Sequence, residues 1–219
     1  MSEGASVEHR AYDAVRTGLA ERRYTEGQML STEAVAAESG LPVSAVRTAF
    51  ERLSEEKALQ LYPGQGALVL SLDLPYARAV MEARLLLEIF AIDSVVARGR
   101  EEARRLGREL AGIVSDVENA QEVLDQGRRF HLRLVEAAGN SVVMRMQEVL
   151  WERGLYVAAA STTGPGVREQ NVAEHRAIAE ALARGEGARA RRLVHEHVSA
   201  ILRRVGVGED LALPRPADT

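Results

Sequence analysis

The 219-residue sequence predicts a mainly α protein in two parts: three helices and a β-hairpin first, then an antiparallel all-α bundle of six to seven helices. Three observations predict it. Apolar residues recur at spacings of three and four through most of the chain, which is the helical period. Only residues 59–72 hold two β-prone runs around a Pro/Gly turn. From Tyr76 onward, helical segments follow one another across Gly-, Asn- and Pro-containing breaks.

The first helix runs from Val7 to Arg23, with Tyr12, Val15 and Leu19 on one stripe. Gly27 precedes a two-turn helix that Ser31 or Thr32 caps, whose positive end suits Glu33, and which Gly40 ends through a left-handed exit. Pro42 then fits the first turn of a third helix, which buries Val46, Ala49, Phe50 and Leu53 and displays Ser44, Arg47, Thr48 and Glu51. Leu59 to Tyr62 and Ala67 to Leu72 flank Pro63-Gly64-Gln65-Gly66 as a hairpin. Two helices joined by a tight turn and followed by a hairpin are the parts of a winged helix-turn-helix, although a small α/β packing module has the same parts. The predicted organisation is a winged helix-turn-helix over 1–71, a linker over 72–75, a helical domain over 76–205 and a flexible tail over 206–219. Within the bundle the helices fall at Tyr76 to Gly99, Glu101 to Asn119, Gln121 to Ala138, Ser141 to Ser161, Val167 to Arg184 and Glu186 to Val205.

Composition narrows the chemistry. Apolar residues are 46% and charged residues 27%, an ordinary globular balance. With no cysteine, disulfides, thiolate metal sites and thiol nucleophiles are excluded, and any metal must use imidazole, carboxylate or backbone ligands. A cytoplasmic location is expected, because residues 1–10 are polar and the longest clean apolar stretch, Leu155 to Ala160, is too short for a bilayer. The net charge is −4, and residues 1–70 hold 7 basic against 10 acidic side chains. Global charge does not attract phosphate here, so binding to nucleic acid would need basic groups gathered on one face.

Helical phase sorts the five histidines. His131 shares a face with Leu134 and Val135, His175 with Ile178 and Leu182, and His197 with Val194 and Ile201, so all three point inward. His195 and His9 should be solvated. One inward histidine is usually a core residue with a satisfied hydrogen bond. Three on separate helices would each be desolvated without compensation, and one shared zinc or nickel ion would compensate all three. Arg84 borders the apolar stripe of the first bundle helix. It reads either as a clamp for a carboxylate in that cavity or as a surface arginine paired with Glu88.

Several runs in order resemble one known family. Gly27 to Ala36, Val46 to Leu53 and Pro63 to Val69 resemble the winged helix of GntR-superfamily transcription regulators. Glu82-Ala83-Arg84 with Glu88, Phe130-His131 followed by Ala137 to Asn140, and Glu174-His175 through to His197 resemble the ligand-sensing FCD domain of its FadR-like branch. The resemblance covers about residues 8–204. It implies a homodimer that reads a palindromic DNA operator and a cavity that holds a small effector, commonly a carboxylate near a metal. Arg47, Ser44 and Thr48 would then face the major groove. Ser31 and Thr32 would face phosphate, and the wing turn at Gly64, Gln65 and Gly66 would approach the DNA backbone. Arg84, His131, His175 and His197 would bind effector, the three histidines through the metal.

Three departures from the family pattern bear on this expectation. Pro42-Val43-Ser44-Ala45 stands where Ser-Arg-Thr-Pro is usual, which removes an arginine that helps hold DNA. Gln65 replaces a basic wing residue, and Lys57 a frequent glycine. Gly127 occupies the slot, four residues before His131, where metal-binding members carry an aspartate. Asp125 is six residues before His131, about 600° of helix rotation, and cannot substitute. Three histidines alone give a weaker, more positive site that depends on water or an anionic effector for completion, and a metal-free cavity is the competing arrangement. The expected function is transcriptional regulation, by repression that effector relieves. Competing readings are a metal-dependent hydrolase using the same histidines, against which Glu174 points off their face, and a protein-interaction module that needs no DNA.

Overall fold

The computed structural model describes residues 6–20, 23–162, 164–208 and 211. It separates into two compact units, Met1–Asp73 and Leu74–Thr219.

In the first unit, α1 (Val7–Ala20), α2 (Thr32–Ser39) and α3 (Val43–Glu55) surround a three-stranded antiparallel sheet of β1 (Met29–Leu30), β2 (Leu59–Tyr62) and β3 (Gly66–Val69) in the order β1-β3-β2. Tyr12, Val15 and Leu19 of α1 and Val46, Ala49, Phe50 and Leu53 of α3 are buried and form its core. The Tyr12 hydroxyl donates to the buried Glu56 carboxylate at 2.9 Å, and Arg52 lies 3.8 Å above the Tyr12 ring. These polar contacts sit at the edge of the core, where the aromatic ring is buried and its hydroxyl needs an acceptor.

The helix ends show what the sequence reading reached and what it missed. α1 stops at Ala20 rather than Arg23. Just beyond it, the Tyr24 N–H bonds to the Gly18 carbonyl, and a Cβ at Gly18 would collide with the Tyr24 ring. Strand β1 was absent from the expected hairpin because two residues cannot display an alternating pattern. It pairs Met29 with Leu68 and Leu30 with Ala67. The hairpin turns through Pro63 and Gly64, with Gly64 at φ 74° and the Gln65 N–H bonded to the Tyr62 carbonyl at 2.9 Å, a type II turn.

Lys57 is the one described non-glycine residue with positive φ, at 60°. The Ala58 N–H bonds to the Leu53 carbonyl and the Lys57 N–H to the Ser54 carbonyl, so Lys57 occupies the left-handed position of a Schellman cap on α3. A side chain there costs about 1–2 kcal/mol, and a glycine loses about 0.5–1 kcal/mol more chain entropy on folding. Lys57→Gly is therefore expected to stabilise the first unit by about 0.5–1 kcal/mol, the balance of those two effects. Urea unfolding should show the midpoint rise; a lower midpoint would refute the strain argument.

The second unit contains α4 (Leu74–Ala97), α5 (Arg100–Ala111), α6 (Ala120–Glu136), α7 (Ser141–Ser161), α8 (Val167–Ala183) and α9 (Gly187–Arg204). Six helices among the described residues thus form the bundle. α4 packs on α6, α7 and α9, while α8 packs on α5 and α9. Asn119 and Asn140 cap α6 and α7 by accepting backbone N–H groups. α4 starts two residues before the expected Tyr76, because Pro75 has no N–H to lose in a first turn.

α5 ends at Ala111, not at Asn119. Gly112 and the β-branched Ile113 and Val114 weaken the helix beyond that point. Gln126 of α6 then captures the loop, donating to the Ser115 carbonyl at 2.8 Å and to its hydroxyl at 3.2 Å. Most of the expected tail, 206–219, lies outside the described residues. Leu211 within it is buried, and its carbonyl lies 3.1 Å from His195 Nε2. His195 is therefore not simply solvated as expected, whereas His9 is exposed and lies 3.3 Å from Asp13.

Candidate metal centre and DNA-reading face

His131, His175 and His197 come from α6, α8 and α9, and each is buried on the apolar face that its helical phase assigned. One ligand nitrogen from each lies within 4.8 Å of the other two. His131 Nε2 and His175 Nε2 are 3.0 Å apart, and the three ring centroids are separated by 4.7 to 5.2 Å.

Each outer histidine has a carboxylate behind it. His131 Nδ1 lies 3.0 Å from Glu88 Oε1, and His197 Nδ1 lies 2.7 Å from Glu174 Oε2. The other ring nitrogen of His197, Nε2, is buried and has no hydrogen-bond partner. A carboxylate behind the imidazole is how proteins fix the tautomer and orientation of a metal-ligating histidine. Both carboxylates are themselves held by arginines: Arg84 Nε donates to Glu88 at 2.6 Å, and Arg204 donates to Glu174 at 2.5 Å. Gln147 of α7 also donates to Glu88, at 3.3 Å.

Glu174 thus does point away from the cavity, but it positions His197 from behind. Neither Glu174 nor Gln147 was among the expected site residues. Glu174 neighbours His175 in sequence, and adjacency on a helix hides that it reaches a histidine on a different one. The two readings of Arg84 merge: it pairs with Glu88, yet both are buried, at 2% and 0% exposure.

The protonation states suit ligation. Burial, assisted by the nearby Arg84 charge, pushes His131 down to about 3. Burial and the neighbouring histidines hold His175 well below its ordinary value. For Glu88, burial acts to raise the value, but Arg84 overrides it and keeps the carboxylate ionised. Burial likewise opposes ionisation of Glu174, and its bond to His197 outweighs that. His131 and His175 are thereby held neutral, the state in which imidazole nitrogen binds a metal, and two carboxylates stand behind the outer rings.

The space between the rings is about 20 Å³, room for one ion or water. Val123, Leu124, Trp151, Asn171 and Ile201 are among its other walls. Gly127 faces it too: a Cβ there would lie 3.4 Å from Trp151 Cη2 and 3.7 Å from His175 Cε1. Residue 127 therefore faces the cavity without a side chain of its own, and the Trp151 ring packs against it. The donor set fits zinc or nickel through His131, His175 and His197, with the remaining positions left to water or ligand.

On the first unit, Ser44, Arg47 and Thr48 are exposed along α3. Ser31 caps α2 by accepting from the Ala34 N–H at 3.2 Å. The Ser31 and Thr32 hydroxyls donate to Glu33 at 2.9 and 3.1 Å, so an acidic side chain occupies the end of α2 that was expected to meet phosphate. Gly64 and Gln65 are exposed at the wing tip. Gly66 has a reason within the fold, since a Cβ there would collide with the Leu30 carbonyl of β1.

A winged helix followed by an all-helical bundle is the architecture of a class of DNA-binding transcription regulators. Residues 8–69 match the model of the bacterial regulatory proteins of the gntR family, and residues 79–200 match that of the FCD domain. The chain belongs to the GntR-family, FadR-like regulators. It is 29% identical over 102 residues, 47% of its own length and 72% of the relative's, to NedR of Micromonospora viridifaciens, which is named as a transcriptional regulatory protein. Similar solved structures are McbR/YncC of E. coli, with a TM-score of 0.60 at 19% identity over 92% of this chain and 99% of that one, and a GntR regulator of Rhodococcus sp. RHA1. The latter gives 0.62 at 17% identity over 92% and 98%. These likenesses carry the fold. The chain is a DNA-binding transcription regulator, and no helix among the described residues is long and apolar enough to cross a membrane.

Proposed function

We propose that this regulator is a homodimer whose affinity for a palindromic operator is set by a small carboxylate-bearing effector, bound with a zinc or nickel ion between His131, His175 and His197. The convergence of three buried imidazoles backed by Glu88 and Glu174 is the observation that supports it most. The metal would supply a positive centre for the anion, and Arg84 a second one. The two carboxylates nearest the histidines are already engaged by arginines, which favours binding over hydrolysis. Occupancy of the cavity would shift the dimer between states that hold its two α3 helices at different spacings.

An apolar face supports the dimer. Leu86 and Phe90 of α4 and Val142, Met146 and Val149 of α7 are exposed, at spacings that put each set on one side of its helix. Contiguous exposed apolar surface of this kind marks an interaction site, and a second copy of the same face is the occupant that a two-fold operator requires.

In DNA reading, Arg47 carries the base-edge or phosphate contact, with Ser44, Thr48 and the wing at Gly64 and Gln65 beside it. Arg47→Ala is expected to weaken operator binding by about tenfold to a hundredfold, as one lost guanidinium contact does. Fluorescence anisotropy against the DNA upstream of the protein's own gene, at several salt concentrations, measures it. Binding no tighter than to random duplex at every salt would overturn the regulator's proposed operator, and native mass spectrometry of the protein as isolated would report metal and dimer together.

A further inference from the structure

Trp151 is the only tryptophan in the chain, and it stands in the wall of the histidine cavity. Its indole is 4% exposed, packs at 6.0 Å from the His131 ring, and lies under the Arg84 guanidinium carbon at 5.2 Å. Its Nε1–H is buried without a hydrogen-bond partner, and so is one terminal nitrogen of Arg84. Leaving such donors buried and unpaired is costly, and native folds accept that cost mainly where a water, ion or ligand completes them. Two orphaned donors on neighbouring side chains, from α7 and α4, make a cavity that asks for an acceptor with more than one lone-pair site. The tip of the indole, Cη2, packs against Gly127, 3.4 Å from where a Cβ would be.

Resting on the carboxylate-binding reading above, we propose that Trp151 is a specificity-determining contact of this cavity, donating its indole N–H to an anionic ligand beside Arg84. A site so lined favours a small carboxylate, whose two oxygens can meet the indole and the guanidinium at once, over a neutral ligand of equal size.

Formate, the smallest carboxylate and so the one least obstructed by a cavity of this volume, serves as the probe. The full-length protein with its metal content measured is titrated with formate by calorimetry, and the same titration is run on Trp151→Phe, which keeps a ring and removes the N–H. In parallel, the single indole resonance of the unmutated protein is followed by NMR. The expected result is binding that weakens about tenfold in Trp151→Phe, the loss of one hydrogen bond to a charged acceptor, with unchanged metal content and a downfield shift of the indole proton on adding formate. Equal affinity in the variant and an unmoved indole resonance would overturn the role of Trp151 while leaving the anion site standing. No binding of formate to the unmutated protein would overturn both. Should Trp151→Phe not fold, the indole resonance decides the matter without it.

Discussion

Glu88→Ala is expected to cost the second unit about 3–5 kcal/mol of stability, the usual penalty for removing one partner of a buried ion pair. Arg84 and Glu88 sit one turn apart on α4, and both are buried. On a helix surface such a pair is worth only about 0.2–0.5 kcal/mol, and the position in the bundle changes the sign of the problem. The guanidinium has been taken out of water and has Glu88 as its carboxylate partner, with an orphaned nitrogen already among its atoms. Alanine would leave that charge unpaired in the core and also remove the group 3.0 Å behind His131 and the acceptor of Gln147. Glu88→Gln keeps the shape and an acceptor, so it should lose less stability while still loosening His131. Thermal unfolding compares the two variants. If alanine and glutamine cost the same, the charge alone rather than hydrogen bonding or shape would be what Glu88 supplies.

Much of this architecture was legible because it rests on periodicity and local chemistry. Helical phase alone put His131, His175 and His197 inward, and the glycine before each turn marked where α2 and the wing change direction. What escaped depended on contacts between segments. Strand β1 is too short to carry a pattern and exists because β3 offers it an edge. The loop after α5 is held by Gln126, eleven residues beyond Ser115, which no local rule connects to it. Glu174, Gln147 and Trp151 become site residues only when α7, α8 and α9 are brought together. The αL backbone of Lys57 is an instructive case: the family's frequent glycine there has a physical reason, visible only as a positive φ.

A paired substitution on the apolar face, Leu86→Glu with Met146→Glu, is expected to give a folded monomer whose operator affinity falls by about 10²–10⁴, the loss when two linked half-site contacts become separate events. Both side chains are 53% exposed in the chain described here, so neither substitution buries a charge within the protomer. Each would instead place carboxylates at the centre of a self-complementary surface, where the two-fold axis brings like charges together. Light scattering reports the monomer, and anisotropy on the operator reports the affinity. Circular dichroism and metal content should stay as they were, because the opposite faces of the same two helices, carrying Arg84, Glu88, Gln147 and Trp151, are not touched. A variant that remained dimeric would move the interface elsewhere. A monomer that bound the operator undiminished would mean that one winged helix suffices, and the cavity could then no longer act by setting the spacing of two.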